Sequence, residues 1–326
     1  MRTLRSFAAI AALAVILPAM AADKVVMSVF PTTVAAPSSV GLAKGYFTEQ
    51  GIELESKWMN RGRDTIQALG AGQVDLGLAA ITPILAARAK GLPIVIIGMH
   101  SHGFPGYLVA SNKNSHLTRL EDFKGKRIGV PVGSGVHTVL LMAIEKVGLK
   151  QSDFQILNAR PPDMPAAMQG DGFDAVLGWM PYSTRVVAMG YGKVVMTPDQ
   201  FEQMVEITYP LVIITTEDAI RKKPDVLQRF MNAWAKSEKF VDRERTETVK
   251  VLRGTLRDRI KVLDDKTVTE VMYGYRHDRV ALSDADIADV RNTEAFLFAQ
   301  KKIDVKPDVD KLIDNSFAKK AEAMMK

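Results

Sequence analysis

Apolar positions along this chain fall into two patterns that keep alternating. Short runs with every residue or every second residue apolar, at Val25–Phe30, Ile52–Lys57, Asp75–Ala79 and Pro93–Met99, read as strands. Helical signals lie between them. Ser38 or Ser39 caps a helix through Val40–Ala43, and Asn60–Arg63 turns into a helix over Asp64–Ala71. Thr82-Pro83 opens another helix, with proline in its first turn, and Gly91 closes it. This order predicts an α/β fold, a mostly parallel sheet with helices on both faces.

A second block repeats the grammar. Ile128–Val132, Phe154–Leu157 and Ala175–Leu177 read as strands, and a helical run follows Gly133-Ser134-Gly135. Gly106–Ser111 and Ile207–Thr215 bracket the block and read as strands crossing between lobes. Residues from Asp218 onward are mainly helical, in segments Pro224–Val241, Arg243–Leu256, Lys266–Tyr273, Ser283–Gln300 and Val309–Met325. The expected division is one lobe from 23–108 plus 213–326, a second lobe from 109–212, and a cleft between them.

The first 22 residues read as a cleavable export signal. Arg2 and Arg5 precede an apolar run from Phe7 to Leu17, and Ala19-Met20-Ala21 offers a small-x-small cleavage site. The run is shorter than the roughly 20 residues a membrane span needs. No cysteine is present, which excludes a disulfide scaffold, a thiol nucleophile and a thiolate metal site. These features point to the periplasm. The net charge of +6 drops to about +4 without the leader arginines, and the basic residues are mixed with acids, as in Asp242-Arg243-Glu244-Arg245. That is a solvated helix face, so no nucleic-acid partner is expected.

The most informative stretch is Lys124 to Glu145. A strand, a turn of glycines and serine, and a helix aim bare N–H groups and the positive end of a helix dipole at one point. Such a turn suits a small anion. Gly135 lets a ligand approach the main chain, and Ser134 either caps the helix or offers its hydroxyl.

Several longer stretches resemble the substrate-binding proteins of ABC importers for nitrate, sulfonates and taurine. They are Gly41–Glu55, Ala68–Asp75, Gly91–Val95, Leu120–Val130 and Gln169–Ala175, in the same order as in that family. The resemblance covers most of residues 24–220 and implies a type II-like, two-lobed periplasmic binding protein fold. It also implies a ligand held between lobes, delivery to an inner-membrane permease with its ATPase, a monomeric receptor, and no cofactor or metal. Two departures concern the ligand. Pro161-Pro162-Asp163 and Trp179-Met180-Pro181 replace a Pro-Ala-Asp-like stretch and a Trp-Asp-Pro-like turn, and Asn60–Asp64 carries arginines where small residues are commoner.

Ligands of open α/β sheets sit beyond the C-terminal strand ends. That rule selects Thr32, Arg61, Gly62, Thr82, His100, Ser134, Gly135, His137, Trp179 and Tyr182, with Tyr209 added on the returning crossover. Arg61 reads as a fork for a carboxylate or sulfonate, or as a solvent-facing loop residue. His137 reads equally as a ligand contact or as a ring satisfied by backbone. Phe30 reads as core, and Arg63 as part of a helix face.

Other chemistries fit less well. Ser134 and His137 lack the Gly-x-Ser-x-Gly elbow and an orienting acid, so a hydrolase is disfavoured; an enzyme on the same fold, acting on a small carboxylate or cofactor precursor, is the alternative. Gly133-x-Gly135-x-x-Thr138 lacks the third glycine of a dinucleotide turn. A metal on His100 and His102 finds no obvious carboxylate pair in either loop.

Overall fold

Strand β1 (Asp23–Val29) buries nearly every side chain toward its C-terminal end and pairs in parallel with β2 (Ile52–Trp58) and β3 (Leu76–Ala80). The computed structural model describes residues 22–261 and 263–325; the proposed export signal lies outside the described residues, apart from its last position. Strand β4 (Ile94–Ser101) is buried along its whole length. The chain then leaves for a second sheet, made of β5 (Gly106–Ser111), β6 (Arg127–Val130), β7 (Gln155–Asn158), β8 (Ala175–Trp179) and β9 (Gly192–Met196). It returns as β10 (Leu211–Thr216).

The first sheet runs β2-β1-β3-β10-β4 and the second β7-β6-β8-β5-β9. In each sheet the strand laid down just after a crossing is antiparallel to its neighbours: β5 against β8 and β9, β10 against β3 and β4. Both strands pair over nearly their full length within one sheet. The crossings therefore lie at 102–105 and 206–210, ahead of β5 and β10, whereas divisions at 108/109 and 212/213 would cut through them. The returning strand begins at Leu211 rather than Ile207. Tyr209 takes φ +50°, off the extended region, and Pro210 has no N–H for a ladder.

The first lobe is held by the helix Pro224–Arg243, whose Leu227, Phe230, Met231, Trp234 and Val241 follow helical spacing and are all buried. Burial of each large side chain stabilises by about 1.5–3 kcal/mol. This helix packs on the helix Ala36–Ala43, where Gly41 lies so close to Phe47 and Ser237 that a Cβ would clash. The segment expected as one helix from 309 to 325 is two, Val309–Leu312 and Ser316–Ala323. Ile313 leaves the helix to bridge Ile96, and Asn315 bonds both main-chain groups of Leu282. Strand β9 and the flanking helices Tyr182–Ala188 and Pro198–Val205 carried no sequence signal strong enough to be read in advance. No helix among the described residues is long and apolar enough to cross a membrane.

Candidate functional site

The C-terminal ends of β1, β3, β6 and β8 all face the gap between the two sheets, and a cavity of about 60 Å³ lies there. Phe30 follows β1, Arg61, Gly62 and Arg63 follow β2, and Pro131 to Gly135 follow β6. Trp179 ends β8, Tyr209 comes from the returning crossover, and Tyr275 comes from the segment after the helix Asp265–Met272. Two arginines line the cavity and no aspartate or glutamate does. Its potential therefore favours an anion.

Two helices open onto this space. The helix Gly62–Gly70 has Arg61 as its N-cap, without a side-chain cap, and the helix Gly135–Lys146 has Ser134. First-turn amides have no partner inside a helix. Asp64 and Thr65 return theirs to the carbonyl of Arg61, while the N–H groups of Gly62 and Arg63 make no hydrogen bond among the described residues. In the second helix His137 N–H donates to Ser134 Oγ (3.3 Å), and those of Gly135 and Val136 make none. Before it, Ser134 N–H donates to the Pro131 carbonyl (3.0 Å) and Gly133 N–H to His137 Nδ1 (3.3 Å). The anion turn thus offers fewer free amides than its sequence suggests. Gly135 is the one that lines the cavity.

The indole Nε1 of Trp179 is buried and has no partner. A buried donor left unpaired is uncommon in folded proteins, and the residue that carries this one lines the cavity. Tyr209 packs edge-on against Phe104, with ring centroids 5.2 Å apart, and its hydroxyl sits directly over Gly135, where a Cβ would collide with it. Burial pushes that phenol well above the ordinary tyrosine range, so it stays a neutral donor.

The arginines are not equivalent. Arg61 directs Nε and Nη2 to Asp64 (3.3 and 3.1 Å), so its fork is largely occupied. Arg63 reaches across the gap, donating Nη2 to the Val132 carbonyl at 3.2 Å. It lines the cavity although its position in a helical run read as surface.

Of the residues expected to line a ligand, Arg61, Gly62, Ser134, Gly135, Trp179 and Tyr209 meet here. Five do not. Thr32 is buried and caps a 3-10 turn through Val34 N–H. Thr82 spends its hydroxyl on Thr138 Oγ1 across the lobes (2.9 Å). His137 lines a neighbouring groove of about 580 Å³, with its ring Nδ1 accepting from Gly133 N–H. Its pKa falls to about 4, because burial penalises the imidazolium and the Lys302 charge adds to that. Tyr182 is buried with its hydroxyl 3.5 Å from Asn60 Oδ1. His100 is fully buried in the first lobe against Glu238. Strand-end position brought these residues near the rim; side-chain direction then took them elsewhere. Phe30, Val34, Arg63 and Tyr275 line the cavity and were not expected there. For Phe30 the strand-end rule alone was a usable signal; Tyr275 arrives from a distant helical segment and carried none.

A family described as NMT1/THI5 like matches residues 32–244. A protein of Bacillus subtilis (strain 168) named for binding aliphatic sulfonates is 26% identical over 289 residues, 87% of this chain and 84% of its own length. The taurine-binding periplasmic protein of Escherichia coli (strain K12) is 29% identical over 222 residues, 68% of this chain and 67% of its own. The alkanesulfonate-binding protein SsuA from Xanthomonas axonopodis pv. citri, solved with MOPS, shares the fold. Its TM-score is 0.76 at 19% identity, over 89% of this chain and 98% of that one. A shorter match, 31% identical over 136 residues, is to the 4-amino-5-hydroxymethyl-2-methylpyrimidine phosphate synthase of Schizosaccharomyces pombe, over 41% of this chain and 38% of that protein. The two-lobed α/β architecture and the family match agree: the chain belongs to the NMT1/THI5-like family.

Proposed function

We propose that this protein is a periplasmic solute-binding receptor that captures a small organic anion between its lobes and hands it to an ABC permease driven by a separate ATPase. The observation that carries the reading is the cavity wall: two arginines, unbonded amides at two helix starts, the orphan indole of Trp179, and no carboxylate. Sulfonate, taurine, nitrate and carboxylate all present the acceptor oxygens such a wall requires. The names of the longer-spanning relatives support the sulfonate and taurine members of that set. Two or three charge-assisted hydrogen bonds at about 1.5–3 kcal/mol each, with aromatic contact, reach the roughly 8 kcal/mol of micromolar binding.

Catalysis is not needed for this role, and Ser134 and His137 are arranged against it. The Ser134 hydroxyl accepts from His137 N–H as a helix cap, and His137 Nδ1 accepts from Gly133 N–H. Of the ring nitrogens, Nε2 is buried without a hydrogen-bond partner among the described residues, and Nδ1 has Gly133 N–H. Export and monomeric behaviour complete the proposal.

The test is a thermal-shift panel on the purified mature chain with alkanesulfonates, taurine, nitrate and short carboxylates. A true ligand at a hundred times its Kd stabilises by about 2.7 kcal/mol, and calorimetry should then give one site per chain. A panel in which no anion shifts the melt, or in which cationic or neutral solutes alone do, overturns the reading. Turnover of a bound ester or cofactor precursor would favour the enzyme alternative.

A further inference from the structure

Away from the cleft, the first lobe buries three side chains of metal-ligating type against one another. His100 comes from β4, Glu238 from the helix Pro224–Arg243, and His277 from the chain after the helix Asp265–Met272. Their exposures are 0%, 2% and 4%. His100 Nδ1 lies 2.9 Å from Glu238 Oε1, and His277 Nδ1 lies 2.8 Å from Oε2. The two imidazoles are tilted with centroids 5.3 Å apart. One ligand atom from each of the three residues falls within 4.8 Å of the others. No other group among the described residues fulfils those conditions.

The electrostatics of the cluster are one-sided. Removing a carboxylate from water costs several kcal/mol unless a cation meets it. No lysine or arginine bonds to Glu238 among the described residues; its only partners are the two imidazoles. Only two imidazoles meet this buried carboxylate, and a dication held by all three groups neutralises it. Beside the cluster is a cavity of about 280 Å³, lined by Glu238 and His277 together with the carboxylates of Asp242, Asp278 and Glu322 and the cations of Lys239, Arg243 and Arg279. That cavity, mixed in charge, gives a small hydrated ion a route to Glu238 and His277.

We propose that His100, Glu238 and His277 form a binding site for a divalent transition ion of borderline softness, zinc first. Two imidazole nitrogens and one carboxylate oxygen are the donors such ions select over calcium or magnesium, and three protein ligands leave a position for water. None of the three residues lines the anion cavity, so the ion braces β4 against the long helix and takes no part in ligand binding. The inference stands whether or not the anion reading does.

The test uses the tag-free mature chain, stripped with a chelator and titrated with zinc chloride against a chromophoric competitor. The expected result is one equivalent bound at micromolar Kd or tighter, protons released on binding, and a higher melting temperature. Glu238→Gln keeps the side-chain shape and should weaken binding at least a hundredfold. His116→Ala, at a histidine outside the cluster, should leave it unchanged. Histidine-ring NMR of the wild-type chain needs no variant: zinc should move two imidazoles that are not those of His102, His116 or His137. Absence of stoichiometric uptake, uptake that survives Glu238→Gln, or shifts confined to the other three histidines leaves only a hydrogen-bonded triad and overturns the proposal.

Discussion

Arg63 and Val132 join the two lobes directly: the guanidinium Nη2 donates to the main-chain carbonyl at 3.2 Å, beside the candidate ligand cavity. That carbonyl is a weaker partner than an anion's oxygen, so the same guanidinium can exchange it for a ligand without leaving the gap. Arg61, held by Asp64, has less to offer. Arg63→Ala should therefore weaken anion binding roughly tenfold, the lower end for a charge-assisted hydrogen bond. Arg61→Ala should do less. Titration calorimetry of the two variants with the best panel anion decides the order, and a larger loss in Arg61→Ala would reverse the assignment.

Gly135 has the Tyr209 hydroxyl pressed against it. Any Cβ must push that ring away from the free, cavity-lining amide of Gly135. Gly135→Ala should cost affinity by a factor of ten or more, while a helix first turn tolerates alanine well. Tyr209→Phe keeps the ring and tests the hydroxyl alone. Unchanged affinity in Gly135→Ala would show that the amide is not a ligand donor.

Trp179 Nε1 is an unpaired donor at the cavity wall. Trp179→Phe preserves an aromatic wall and removes the N–H. If the donor meets the anion, affinity falls by roughly 1 kcal/mol while the melting temperature of the free protein holds or rises, because a buried unsatisfied group is gone. Loss of stability without loss of affinity would make the indole a packing element only.

His137 provides a pH prediction. Unfolded, its imidazole takes up a proton near 6.5; folded, it resists until about 4. Between those values the unfolded state binds more protons. The stability tied to His137 is therefore full above about pH 6.5 and is lost as pH falls toward 4. Going from about pH 7 to about pH 5, the loss amounts to roughly 2 kcal/mol. His137→Gln should shrink that part of the loss, read from urea melts at the two pH values. An identical pH slope in the variant would remove His137 from the account.

Much of the fold could be read from local pattern. The alternation of β and α segments, the turn at Gly133–Gly135 and the cap at Ser134 rest on interactions within a few residues, and those appear where the periodicity put them. The weaker segments were misread for the same reason. Val309–Met325 has helical spacing throughout, yet Ile313 pairs with Ile96 far away in the chain and breaks the run. Nothing near Ile313 announces that pairing.

The site was half legible. Strand-end position brought Arg61, Gly62, Ser134, Gly135, Trp179 and Tyr209 to one cavity, because in a parallel sheet chain order already says which loops gather at one edge. It failed at Thr32, Thr82, His100, His137 and Tyr182, where the loop is right but the side chain turns to a cap, a neighbouring lobe, a groove or the core. What the amino-acid order determined by itself was the set of elements and the edge on which they converge, since both follow from backbone hydrogen bonding and apolar periodicity. Which of the gathered side chains face the cavity, that Arg63 spans it, and that His100 meets Glu238 and His277 instead, only tertiary packing decided: those hydrogen bonds join residues up to 138 positions apart, and no local rule carries that information.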